Sequence, residues 1–82
     1  MEMRIVVPDA DSATKLADQL SVDFGFECVS LRRDRREVDI LIDREPEPAI
    51  VRILEAVERW LDQAHTGSAE MWFGERSYRL AR

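Results

Sequence analysis

The chain has 82 residues, 45% hydrophobic and 35% charged, with a net charge of −5. That length suits a single domain over 1–82, burying a little over ~60% of the unfolded chain's surface, and the composition is globular, not disordered. No apolar run approaches the ~18 residues of a membrane span, the acidic balance argues against a general nucleic-acid binder, and one cysteine, Cys28, excludes an internal disulfide.

The first strand is expected over Met3 to Pro8, where Ile5, Val6 and Val7 form a continuous apolar run suited to a central strand. The start lacks the basic and long apolar regions of a signal peptide, so the expected location is the cytoplasm. A helix follows from Asp11 or Ser12 to Asp23. Asp9, Asp11 and Ser12 are capping types, and Ala13, Leu16, Ala17, Leu20 and Phe24 make one apolar stripe. Gly25 is the expected stop.

Phe26 to Arg32 reads as the second strand, with Val29 and Leu31 on one side and Cys28, Ser30 and Arg32 on the other. Arg33-Asp34-Arg35-Arg36 is a hairpin tip without glycine, which predicts a longer turn of type I form. Glu37 to Asp43 is the third strand, with Val38, Ile40 and Ile42 on one face and Asp39, Leu41 and Asp43 on the other. The second helix runs from about Glu47 to Ala64 or His65. Pro46 and Pro48 suit its entrance, Ile50, Ile53, Leu54, Val57, Leu61 and Ala64 form its apolar face, and Trp60 lies on the flank. Glu55 and Arg59 are spaced as a helical ion pair, and Gly67 ends the helix.

The tail is longer than one strand needs, and it reads as a final hairpin or, as the alternative, as one long strand with a bulge at Gly74. With Gly74 first in a type II′ turn, Phe73 pairs with Arg76, Met71 with Tyr78 and Glu70 with Arg79. Apolar residues then share one face and an opposite-charge pair meets on the other. The hydrophobic period thus runs strand, helix, strand, strand, helix, strand. This predicts an α+β fold: a ferredoxin-like split βαβ sandwich (βαββαβ) with an added C-terminal strand, antiparallel sheet order 4-1-3-2, and two helices on one face. The expected core is Ile5, Val7, Leu16, Leu20, Val29, Leu31, Val38, Ile40, Ile42, Leu54, Val57, Leu61, Met71 and Phe73.

That architecture names no activity. His65 is the only histidine and has no partner in sequence, so it reads as a helix-end cation. Cys28 has Arg32 two residues along, but no paired histidine and no phosphate-cradling loop follows it, so it reads as an incidental thiol. One cysteine and one histidine do not make a zinc site, and no EF-hand spacing is present. Asp9 and Asp11 are explained by capping. Neither GxGxxG, P-loop nor GxSxG occurs. The chain is therefore expected not to be an enzyme and to hold no cofactor or metal.

Two surfaces remain. The open sheet face carries Val6, Leu41 and Trp72 among Arg4, Arg32, Asp39, Asp43, Glu70 and Arg79. An apolar centre with a charged rim suits a protein partner or a second copy of the chain. The open-face positions of the first and third strands hold no aromatic and two acids, unlike an RNA-stacking sheet. The alternative surface is the tip with Arg32, Arg33, Arg35 and Arg36. It reads either as an anion or nucleic-acid claw or, more plainly, as a solvated turn that blocks edge pairing.

Overall fold

The computed structural model describes residues 2–42, 46–64 and 67–81. Along the chain come β1 (Glu2–Val6), α1 (Ala10–Phe24), β2 (Val29–Arg32), β3 (Glu37–Leu41), α2 (Pro46–Ala64), β4 (Ser68–Phe73) and β5 (Arg76–Ala81). Short 3₁₀ turns at Phe26–Cys28 and Arg33–Arg35 flank β2. The five strands form one sheet in the order β2-β3-β1-β4-β5, antiparallel at every pairing. The expected order 4-1-3-2 is therefore incomplete. Read from the other edge, the sheet places β5 outside β4, and β1 becomes its middle strand.

Local chemistry explains most element ends. The Ser12 amide donates to Asp9 Oδ1 at 2.7 Å, so Asp9 caps α1, and that bond holds its carboxyl below the usual range. At the other end Gly25 has φ 102° and donates to the Ser21 carbonyl at 2.9 Å. A side chain at that dihedral is strained. The chain then leaves as a 3₁₀ turn, in which the Cys28 amide donates to the Gly25 carbonyl. This corrects the second strand: β2 starts at Val29, and Cys28 lies in the turn, not on the open sheet face. Pro46 is the first residue of α2, where its missing N–H costs nothing. Glu55 and Arg59 share that helix but form no ion pair within 4 Å.

Both hairpins show their turn chemistry. The β4–β5 register pairs Glu70 with Arg79, Met71 with Tyr78 and Phe73 with Arg76, as the tail pattern predicts. Gly74 has φ 61° while Glu75 stays at negative φ, which is the type II′ signature. At the arginine tip, the 3₁₀ turn is followed by Arg36 at φ 54°, the positive-φ residue that closes the loop.

The core lies between the sheet and both helices. α1 packs on β2 and β3, α2 touches β4, and the helices meet each other. Met3, Ile5, Leu16, Leu20, Val38, Ile40, Ile53, Val57 and Met71 are its fully buried large side chains. Leu31 leaves the expected core, at 37% exposure, because β2 is an edge strand. Val29, Leu54 and Phe73 pack on the core only partly. Met3, Ala13, Ala17, Ile53, Ala56, Trp60 and Ala69 join it. Trp60 is buried, not flanking, since Ala56 and Trp60 share a recess with Gln19 of α1 along the helix seam.

Ile40 is 2% exposed at the centre of this layer. Ile40→Ala is expected to cost about 2–5 kcal/mol in denaturant unfolding, and an unchanged midpoint refutes the packing. Arg36→Val forces a β-branched residue into the left-handed region and is expected to cost about 1–2 kcal/mol. Arg36→Gly relieves the same strain and should leave the midpoint level or higher.

Candidate functional site

Because successive strand residues alternate sides, burial of Met3, Ile5, Val38, Ile40 and Met71 under the helices sends their neighbours to the opposite face. The registers arrange those neighbours in two rows across all five strands. One row reads Arg32, Glu37, Val6, Glu70, Arg79 from β2 to β5; the next reads Ser30, Asp39, Arg4, Trp72, Ser77. Beyond them Leu41 faces Glu2.

This arrangement separates the three apolar residues. Val6 and Trp72 are diagonal neighbours on β1 and β4, and both are half-buried. Leu41 is 55% exposed on β3, with Glu2 and Arg4 of β1 between it and Trp72. Trp72 stands directly between Arg4 and Ser77, with Arg79 one row away. Neither Arg4 nor Arg79 makes an ion pair within 4 Å among the described residues. Asp43 lies outside the described residues.

The feature that sequence reasoning missed is a pair of buried acids in these rows. Glu37 is 7% exposed and Asp39 is 4% exposed, although no helix covers them. Arg32 Nε donates to Asp39 Oδ2 at 2.8 Å and stands 3.8 Å from Glu37 Oε2. The bond to Asp39 raises the Arg32 pKa above its ordinary value. Asp39 Oδ1 is buried without a hydrogen-bond partner. Burial first, and then the hydrogen bond and like charge of Asp39, push the Glu37 carboxyl above the usual range, against the pull of Arg4 and Arg35. The spacing of Glu37 and Asp39 on one strand was visible in the sequence; their burial depends on neighbours across the sheet.

At the arginine tip the side chains are partly committed. Arg32 is held by Asp39, and Arg36 Nη1 donates to the Pro8 carbonyl at 3.2 Å. Arg35 is exposed and makes no ion pair or side-chain hydrogen bond among the described residues, and the Arg33 side chain lies outside the described part of the structure.

A recess of about 370 Å³ opens at the end of the sheet, lined in part by Phe24, Cys28, Ile40, Arg52 and Ile53. The Arg52 guanidinium sits 5.5 Å over the Phe24 ring. His65 lies outside the described residues. Among the described residues, no group of three His, Cys, Asp or Glu side chains is placed to hold a metal ion. No described helix is long and apolar enough to cross a membrane. No family model, curated protein or solved structure matches the chain.

The raised Glu37 pKa sets a pH dependence. Its favourable share of stability is complete below the unfolded-state value, about 4.3, and is lost as pH rises through the higher folded value. Glu37→Gln keeps the shape without the charge. The variant is expected to melt higher than wild type at pH 7, with the gap closing towards pH 4. A gap that widens on acidification refutes the assignment.

Proposed function

We propose that the chain is a small non-enzymatic binding module, a ferredoxin-like βαββαβ sandwich with an added strand, whose open sheet face takes a protein partner. The observation that carries this reading is the position of Trp72. It lies half-exposed on the face away from both helices, in line with Arg4 and Ser77 and diagonal to Val6. Tryptophan and arginine together are the side chains that most often anchor protein interfaces. Arg4 and Arg79 keep their ion-pairing capacity for a partner's carboxylates. The outer faces of the helices offer Lys15, Asp18, Arg52, Glu55, Arg59 and Asp62, all exposed and solvating.

The arginine tip ranks second as an anion site. Arg32 is already bonded to Asp39, and Arg36 to a backbone carbonyl. The net charge of −5 also opposes long-range attraction of phosphates.

A second copy of the chain is one form the protein partner can take. Light scattering at micromolar concentration reads this directly: a mass above one chain that falls to one chain in Trp72→Ala supports self-association through the face. A monomer in both removes that form. A heterologous partner is then sought by capture with wild type, Trp72→Ala and Glu55→Ala. The reading requires a protein retained by wild type and Glu55→Ala and lost with Trp72→Ala; equal retention by all three refutes it.

A further inference from the structure

The two edges of the sheet are unlike each other. β2 closes one side with four residues, and a 3₁₀ turn blocks each of its ends. β5 closes the other with six residues, every one of them registered on β4 from Phe73 opposite Arg76 to Ser68 opposite Ala81. No strand among the described residues pairs with its outer side. Along some ~20 Å, alternate backbone N–H and C=O groups of β5 therefore point outward without a partner.

The side chains of this edge have one sign. β5 contains Arg76 and Arg79 and no acid. Arg79 faces Glu70 across the β4–β5 ladder, yet the two come no closer than the 4 Å of an ion pair, and Arg76 is likewise unpaired among the described residues. By alternation, Arg79 lies on the open face and Arg76 on the helix side. Tyr78, also on the helix side, is 44% exposed and stacks on Phe73 with ring centres 5.3 Å apart.

We propose that the β5 edge takes an extended acidic segment of a partner protein as a sixth strand. The backbone requirement selects a polypeptide, because only another peptide chain matches the alternating donors and acceptors of a strand edge. The arginines select its charge. An added strand sends alternate side chains to the two faces in step with β5. An acid on its open side meets Arg79, and an apolar residue on its helix side packs beside Tyr78, with a second acid in reach of Arg76. A second copy of β5 is a poor occupant. Arg76 and Arg79 of both copies would line one seam with no acid from either strand, and a twofold pairing centred on Arg79 sets arginine against arginine. This docking is independent of Trp72, since a strand added at the edge leaves the middle of the open face bare.

The probe is an end-blocked Thr-Val-Glu-Val-Thr-Glu-Thr peptide, whose two glutamates fall on opposite faces of a strand, titrated into the intact chain at low salt and followed by amide shifts and hydrogen exchange. The expected result is shifts centred on Arg76–Ala81, slower exchange of the outward β5 amides, and affinity that falls as salt rises. Methylating the peptide's alternate backbone nitrogens on one edge should abolish binding, while the other edge tolerates it. The double change Arg76→Gln with Arg79→Gln should weaken binding roughly fivefold. Should that variant fail to fold, the same peptide with lysine for glutamate serves on wild type and is expected not to bind. Equal binding of the lysine peptide, unshifted β5 amides at millimolar peptide, or dimerisation through β5 without peptide overturns the proposal. Shifts confined to Arg4, Val6 and Trp72 overturn it too, while leaving the open-face reading standing.

Discussion

β1 is paired on both sides, with β3 and with β4, and its Met3 and Ile5 side chains are completely withdrawn from water. Once those two residues are turned towards the helices, alternation dictates the facing of every other strand through the registers. A slip of one residue in β1 would send Arg4 into the core and Ile5 to solvent. The helices then cover what β1 has oriented: α1 over β2 and β3, α2 over β4, with Leu16, Leu20, Ile53, Val57 and Leu61 closing on the sheet. Two helices cover one face of a sheet and leave the other face bare. The polar content of that second face follows from the same constraint.

The second face does not behave as a uniform solvated surface. Glu37 and Asp39 sit side by side on β3 with long neighbours on both flanking strands, and they lose nearly all their contact with water. Arg32 offsets part of that cost by bonding Asp39, but Asp39 Oδ1 stays unsatisfied and Glu37 holds its proton more tightly. Burying Glu37 beside a second acid costs stability near neutral pH. It does leave polar groups dry on β3, beside the middle strand β1. The accessible groups of the face include Leu41 on β3, Arg32 on β2, and Arg4, Trp72 and Arg79 on β1, β4 and β5.

The edges divide along the same line. β2 is short, blunted by its two turns, and its terminal arginine is spent on Asp39. β5 is long, fully supported by β4 from within, and carries arginines with no ion-pair partner among the described residues. Charged residues on an edge strand keep like edges apart, so one feature both discourages pairing with a second β5 and favours an oppositely charged strand. Phe73 and Tyr78 stack across this hairpin on its helix side.

The sequence by itself determined what depends on neighbours along the chain. The alternation and helical periods were legible, as were three capping candidates that include Asp9, the Gly25 stop and the type II′ turn at Gly74, and with that turn the β4–β5 register followed, because a tight turn allows only one pairing. What depends on neighbours across the fold was not legible. Leu31 has the pattern of a core residue but sits on an edge strand. Trp60 looks like a flank residue of α2 until α1 lies beside it. Cys28 has the pattern of a strand residue, but the positive φ of Gly25 turns the chain into a 3₁₀ turn first. In the candidate site, the sequence placed Val6, Leu41 and Trp72 on one face and the tertiary structure decided their distances, setting charged residues of β1 between Leu41 and Trp72. The burial of Glu37 and Asp39 has the same origin. A side chain's side of a strand follows from backbone geometry alone, whereas its exposure and its partners are set by which strand lies beside it.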